Sequence, residues 1–334
     1  MKFNVLIKSA FTMTLVFFVC LVSAVDISAK KDTLKDKFDS DDVNVRRRAC
    51  EDVSMQRNKE YVSTLIETIK NDESHFVRHA CTEALGMMRA KNATGALLEV
   101  LTNDQNPAVR QQAAVSLGYI QDRGTIKGLL EALRKETVQS PRTAILQTLG
   151  VMRDQSSAKP LEEMLKTSSP TVKVTILTAL GTIGAARSGA AISAELDSPD
   201  ETVRSEAAKA IGRIKYEKAK PKLWELANKK ISSIEKVALL YALSSMGDNK
   251  GLSAISKMSG NKNPRVRRLV AISLGNWGNA MPHYAAIKKL AQDKDMGVRV
   301  EAMRAETKFK VINKKLFTQT SPVPGKSKKR KSTP

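Results

Sequence analysis

A basic residue returns along this chain at an almost constant interval. It stands at Arg46, Arg78, Arg110, Arg142, Lys173, Arg204, Lys236, Arg267 and Arg299, always 31 or 32 residues after the last. No other feature restricts the fold so strongly, because a fixed period of about 20–50 residues belongs to stacked architectures in which each copy touches only its neighbours. The residue before the marker is Val at 45, 77, 109, 172, 203, 266 and 298, with Pro141 and Glu235 in the other two copies. Eight residues after the marker come Gly86, Gly118, Gly150, Gly181, Gly212 and Gly275, replaced by Ser54, Ser244 and Thr307 elsewhere.

The stretch DQNPAVRQQAAVSLGYI, residues 104–120, shows how one copy is built. Asn106 is suited to cap a helix, Pro107 to its first turn, and Gly118 to a break near its end. Three residues after the marker stand Ala49, Cys81, Ala113, Ile145, Ile176, Ala207, Leu239, Val270 and Ala302. Ten after it, most copies carry a large apolar residue, such as Ile120, Met152, Trp277 and Phe309. Together with the valine column these make one stripe of a helix. The column at plus six is small, as in Ala84, Ser116, Ala210 and Ala305, which lets neighbouring helices approach. Second helical patterns lie between, such as GALLEVL (95–101) and GLLEAL (128–133). Each copy is therefore expected to be a pair of antiparallel helices. The aromatic fraction of 4% also argues against a β-sandwich or barrel.

DESHFVRHACTEALGMM (72–88), residues 104–120 and SPDETVRSEAAKAIGRI (198–214) resemble HEAT repeats of the short PBS-lyase HEAT-like kind. The resemblance covers about residues 40–311 and implies an all-α solenoid of the armadillo/HEAT type, with about nine two-helix repeats. It also implies a ladder between repeats, in which an Asp six residues before the marker takes part. Asp72, Asp104 and Asp293 occupy that place; Ser40, Glu136, Thr167, Ser198, Lys230 and Asn261 do not, so a partial ladder is expected. Recurring in every copy, the basic markers read as structural.

The remaining segments divide simply. Lys2 and Lys8 precede the apolar run Phe11–Val22, which ends in Val22-Ser23-Ala24. That pattern predicts a secretory signal over 1–24, hence an exported, periplasmic or secreted protein. Residues 25–39 read as a linker or partial helix, and 312–334, which include KSKKRK, as a disordered basic tail. An oxidising compartment would permit a disulfide between Cys50 and Cys81. They stand at plus four and plus three of adjacent copies, however, and helices stacked about 10 Å apart would leave their Cα atoms beyond the roughly 7 Å that a bridge tolerates. Two packed thiols are expected.

Chemistry is sparse. Deoxyhypusine hydroxylase, a relative by resemblance, carries iron-ligating His-Glu pairs just after the repeat arginine; the pairs here, such as His79-Ala80 and Ser205-Glu206, include no His-Glu. His75, His79 and Glu83 could share one helix face at i, i+4 and i+8, but no fourth ligand accompanies them and a solvated surface is the expected reading. There is no phosphate loop and no nucleophile elbow, so neither cofactor nor small-molecule substrate is indicated.

The net charge of +22 is unevenly spread. Residues 25–204 hold 25 basic and 25 acidic residues; residues 205–307 hold 20 and 9; residues 308–334 hold 9 basic and no acidic ones. In the C-terminal copies the outward columns at plus one and plus five also change, combining Val237, Tyr241 and Ile272 with Lys209, Arg268 and Arg304. Exposed apolar residues among cations mark a binding surface. These six residues are the expected partner site of a non-catalytic scaffold, with a protein as its partner. An anionic envelope surface or nucleic acid, engaged through 205–334, is the alternative partner. An enzyme of the lyase or hydroxylase kind is a further alternative, implied by the resemblance alone.

Overall fold

The computed structural model describes residues 33–276 and 283–312, and these form helices and turns with no strand. The expected signal, most of the basic tail and Trp277 lie outside the described residues. No described helix is long and apolar enough to cross a membrane. The chain divides into two compact units at Met88. The first contains α1 (Leu34–Phe38), α2 (Val43–Gln56), α3 (Val62–Asn71) and α4 (His75–Met87). The second begins with α5 (Thr94–Asn103), α6 (Pro107–Ile120), α7 (Ile126–Lys135), α8 (Gln139–Met152), α9 (Ala158–Thr167), α10 (Pro170–Ile183) and α11 (Gly189–Ala194). It continues with α12 (Glu201–Ile214), α13 (Lys220–Ala227), α14 (Ser233–Ser245), α15 (Asn249–Lys257), α16 (Pro264–Gly275), α17 (Tyr284–Leu290) and α18 (Met296–Ile312). Long and short helices alternate, as the two-helix repeat requires.

Each recurring basic residue is the fourth residue of its long helix, from Arg46 in α2 to Arg299 in α18. Local chemistry sets both ends of these helices. Asn106 caps α6 by accepting the Ala108 N–H at 2.9 Å, and Asp42, Asp200 and Asn263 do the same for α2, α12 and α16. In the first seven copies the other end falls at or just before the residue eleven places after the marker. There Arg57, Arg89, Gln121, Arg153, Gly184, Lys215 and Gly247 all turn left-handed, with φ between 50° and 79°. Gly118 is therefore not a break: α6 runs through it to Ile120 and is closed by Gln121.

The use of Gly118 is lateral. Along the second unit, each long helix packs directly against the next. The glycine at plus eight meets the small residue at plus six of the following repeat. A Cβ placed on Gly181, Gly212 or Gly275 would lie 3.1, 2.9 or 2.9 Å from the Cα of Ala210, Ala242 or Ala305, and one on Gly118 would lie 3.1 Å from Thr148 Oγ1. Bare backbone at these points is what allows the helices to approach. The plus-three column is the centre of the core: all nine of its members are fully buried.

The basic markers join successive repeats. Arg46 donates from Nε and Nη2 to Asp72 at 2.8 and 3.2 Å, while its Nη1 reaches the carbonyls of Ser40 and Asp41. Arg267 binds Asp293 in the same way, at 2.6 and 2.7 Å. The ladder is fuller than the Asp positions implied. Glu136 serves Arg110 at 2.8 and 3.1 Å. Where Lys230 occupies the usual place, Glu235, itself 1% exposed, serves Arg204 at 2.6 and 2.9 Å. Glu195 serves Lys173 at 2.7 Å. At Arg142, followed by Thr167 in the carboxylate position, the buried Nε has no hydrogen-bond partner among the described residues.

Cys50 and Cys81 form a disulfide between α2 and α4, which corrects the expectation of two packed thiols. Their Cα atoms are 4.8 Å apart. The expectation took the spacing of helix axes for the spacing of facing residues. Axes 8–10 Å apart leave facing Cα atoms, each about 2.3 Å off its axis, only about 4–5 Å from each other.

Two outcomes are expected. Gly212→Ala should destabilise the protein by about 1–3 kcal/mol through overpacking against Ala242; urea unfolding measures it, with Gly95→Ala, which meets nothing within 4 Å, as the tolerated control. The second concerns acid. Burial alone would raise the pKa of Glu136, but hydrogen bonds from Arg110 and from the Val138 and Thr137 N–H groups outweigh it and hold the carboxyl below its ordinary range. Asp293 is held low chiefly by Arg267. A carboxyl lowered on folding stabilises the native chain above the unfolded-state value near about pH 4, and that stabilisation is lost as pH falls toward the folded value. Glu136→Gln should cost about 1–3 kcal/mol at neutral pH, a difference that shrinks below about pH 4 in melting curves taken across pH.

Candidate functional site

The C-terminal repeats of the second unit depart from the pattern on one face. Positions plus one and plus five lie a single helical turn apart. On α12 they are Ser205 and Lys209, on α14 Val237 and Tyr241, and on α16 Arg268 and Ile272. Because α12, α14 and α16 pack side by side, these columns converge. Lys209, Val237, Tyr241 and Ile272 line one pocket of about 290 Å³, with Arg213 and Leu269 also in its wall. Arg304 lines a second pocket between α16 and α18. The two share Ile272 and Asn276, so they form one run across α12, α14, α16 and α18.

Their depths differ from the expectation of uniformly outward residues. Val237 is only 2% exposed and lies within the core, whereas Tyr241 is half-buried and Ile272 is 38% exposed. Val237 stands at plus one, where it is covered, and Ile272 at plus five, nearer the open face. Val237 is thus the floor of the pocket and Ile272 its rim.

Two acidic residues organise the charge. Glu206, buried on α12, pairs with Lys209 and with Arg213 at 3.1 Å, and accepts a hydrogen bond from Thr178 at 2.9 Å. Glu301 on α18 accepts from both Arg268 and Arg304 at 3.2 Å. In each group one carboxylate holds two cations, leaving one positive charge uncompensated. The cations are half-buried to exposed, from 36% for Arg213 to 68% for Arg304, while the two carboxylates are 7% and 14% exposed. The positive charge therefore faces solvent. Ser205, in the wall of the first pocket, has a buried hydroxyl with no hydrogen-bond partner among the described residues.

Glu206, Glu301 and Arg213 were not among the expected partner-site residues, which came from the plus-one and plus-five columns alone. Their own columns, plus two and plus nine, flank the same stripe, so i, i+3 and i+7 spacing was the signal to follow. The His75, His79 and Glu83 set is not brought together with further ligands: among the described residues no group of three or more His, Cys, Asp or Glu could hold a metal. The rings of His75 and Phe76 pack 4.1 Å apart at the start of α4.

The family model for HEAT repeats matches residues 32–118, 94–172 and 165–244. No curated protein matches the chain by sequence. Among solved structures, the complex of CpcE and CpcF of phycocyanin lyase from Nostoc sp. PCC7120 is similar at 19% identity and a TM-score of 0.45, covering 74% of this chain and 94% of that one. YibA of Escherichia coli is 17% identical, with a TM-score of 0.47 and coverage of 79% and 93%. Human deoxyhypusine hydroxylase, in complex with glycerol, is 19% identical, with a TM-score of 0.33 and coverage of 87% and 98%.

The orphan hydroxyl in the wall leads to a direct expectation. Ser205→Ala should leave the protein as stable or raise stability by about 0.5–1 kcal/mol, since it removes an unsatisfied buried group and improves helix propensity. Thermal unfolding measures this, and a clear loss of stability would show that the hydroxyl already has a partner.

Proposed function

The chain belongs to the HEAT-repeat family, and from that premise we propose that it is a non-catalytic, exported scaffold whose C-terminal repeats hold an acidic protein partner. One observation carries the reading: side chains from four long helices gather around a single run of pockets, apolar at its floor and positively charged on both sides. HEAT repeats supply a rigid array of parallel helix faces, and function is then local to the copies that deviate from the repeat pattern. Lysine, arginine, tyrosine and aliphatic side chains recognise acidic surfaces, and the Ser205 hydroxyl in the wall is not hydrogen-bonded to a base among the described residues.

Export is supported by the N-terminal signal pattern and by the Cys50–Cys81 bridge, since structural disulfides persist in oxidising compartments. The charge distribution favours an acidic partner: the cations concentrate after residue 204, in the same repeats that carry the pockets.

The test is capture by the full mature chain from an extract of its own compartment, beside a Lys209→Ala, Arg268→Ala, Arg304→Ala triple variant. An acidic protein retained by the parent and lost by the variant is the expected result. Retention unchanged by the triple variant would overturn the assignment of the surface. Binding abolished by nuclease would transfer it to nucleic acid, the alternative that the basic charge also favours. Stoichiometric iron in the purified chain would replace the scaffold reading with a hydroxylase-like one.

A further inference from the structure

The run of pockets has an order along it: a positive group, an apolar hole, then a second positive group. The first positive group, Glu206 with Lys209 and Arg213, lies on α12. The hole is floored by Val237 and walled by Tyr241 and Ile272, on α14 and α16. The second positive group, Arg268 and Arg304 on Glu301, spans α16 and α18. At about 290 Å³ the hole lies at the lower limit for small-molecule sites, which suits one bulky side chain better than a cofactor-sized ligand. The unpartnered Ser205 hydroxyl in its wall offers one hydrogen bond to a polar edge of the occupant.

Resting on the scaffold reading, we propose that the site anchors a single aromatic side chain of an acidic segment, flanked on both sides by carboxylates. Long helices 8–10 Å apart separate the two positive groups by about 20–25 Å. An extended chain at about 3.3 Å per residue covers that distance in about six to eight residues. The segment lies across the helices, with its ring in the hole. Its acidic residues on one side meet Lys209 and Arg213, and those on the other meet Arg268 and Arg304. The buried carboxylates of Glu206 and Glu301 hold these cations in position without neutralising them, so the flanking charges are recognised without prior rearrangement. Charge complementarity selects this occupant over the chain's own basic tail, which the positive groups repel.

Fluorescence anisotropy on the full mature chain tests the proposal. The probes are two labelled octapeptides of glutamate, one with a central tryptophan and one with alanine in its place. The tryptophan peptide is expected to bind at least tenfold more tightly. Ile272→Asp should bring that ratio close to one, and Arg268→Ala with Arg304→Ala should weaken both peptides while preserving the ratio. Equal binding of the two peptides would overturn the anchor and leave the acidic-partner reading standing. Binding of neither would overturn both. A concentration-dependent dimer of the chain that Ile272→Asp abolishes would overturn the anchor in favour of a second copy.

Discussion

The contact on which the rest depends is backbone against backbone. Where a long helix carries glycine at plus eight, the next carries a small residue at plus six, and at Gly212 and Gly275 a single added methyl would lie within 3 Å of a neighbouring Cα. Glycine inside a helix costs about 1 kcal/mol relative to alanine. It persists here because separating the helices would open the fully buried plus-three column, whose members pack only when the backbones are this close. Between α2 and α4, where Ser54 takes the glycine place, the helices still bring the Cα atoms of Cys50 and Cys81 to 4.8 Å.

The basic markers do different work. The guanidinium groups of Arg46, Arg110, Arg204 and Arg267 each close their own loop by binding two carbonyls and reach a carboxylate belonging to the next repeat, so register within a copy and register between copies are set by one side chain. What is maintained is a buried negative charge within reach of the marker, whatever residue supplies it. Glu235 shows this most clearly: it replaces a core valine and is almost fully buried, yet its charge is balanced by Arg204. A buried carboxylate in that column would be costly without such a partner. Arg142, with threonine in the carboxylate position of the following repeat, is where the device lapses.

The candidate site is made by changing only the face that stacking leaves free. The plus-three and plus-six columns that pack helix to helix stay apolar or small through α12, α14, α16 and α18, and the plus-one and plus-five columns vary. Because the scaffold fixes the helices, substitutions made 31 or 32 residues apart in sequence become neighbours. Glu206 and Glu301, at the same position of repeats three steps apart, each gather a pair of cations, so the pocket is bounded twice by the same local arrangement.

The sequence by itself determined the repeat, its two-helix composition and the core columns, because all of these recur at the spacing of one helix face or one copy. The Gly118 contact, the disulfide and the full set of ladder carboxylates were not legible. Each depends on which atoms face one another across two helices, a distance set by the thickness of the backbone and not by any periodicity along it. Depth was hidden for the same reason: Val237 at plus one and Ile272 at plus five were both read as outward, and tertiary packing makes one a floor and the other a rim. Periodicity states which side of a helix a residue takes; tertiary packing decides how much of that side remains open to solvent.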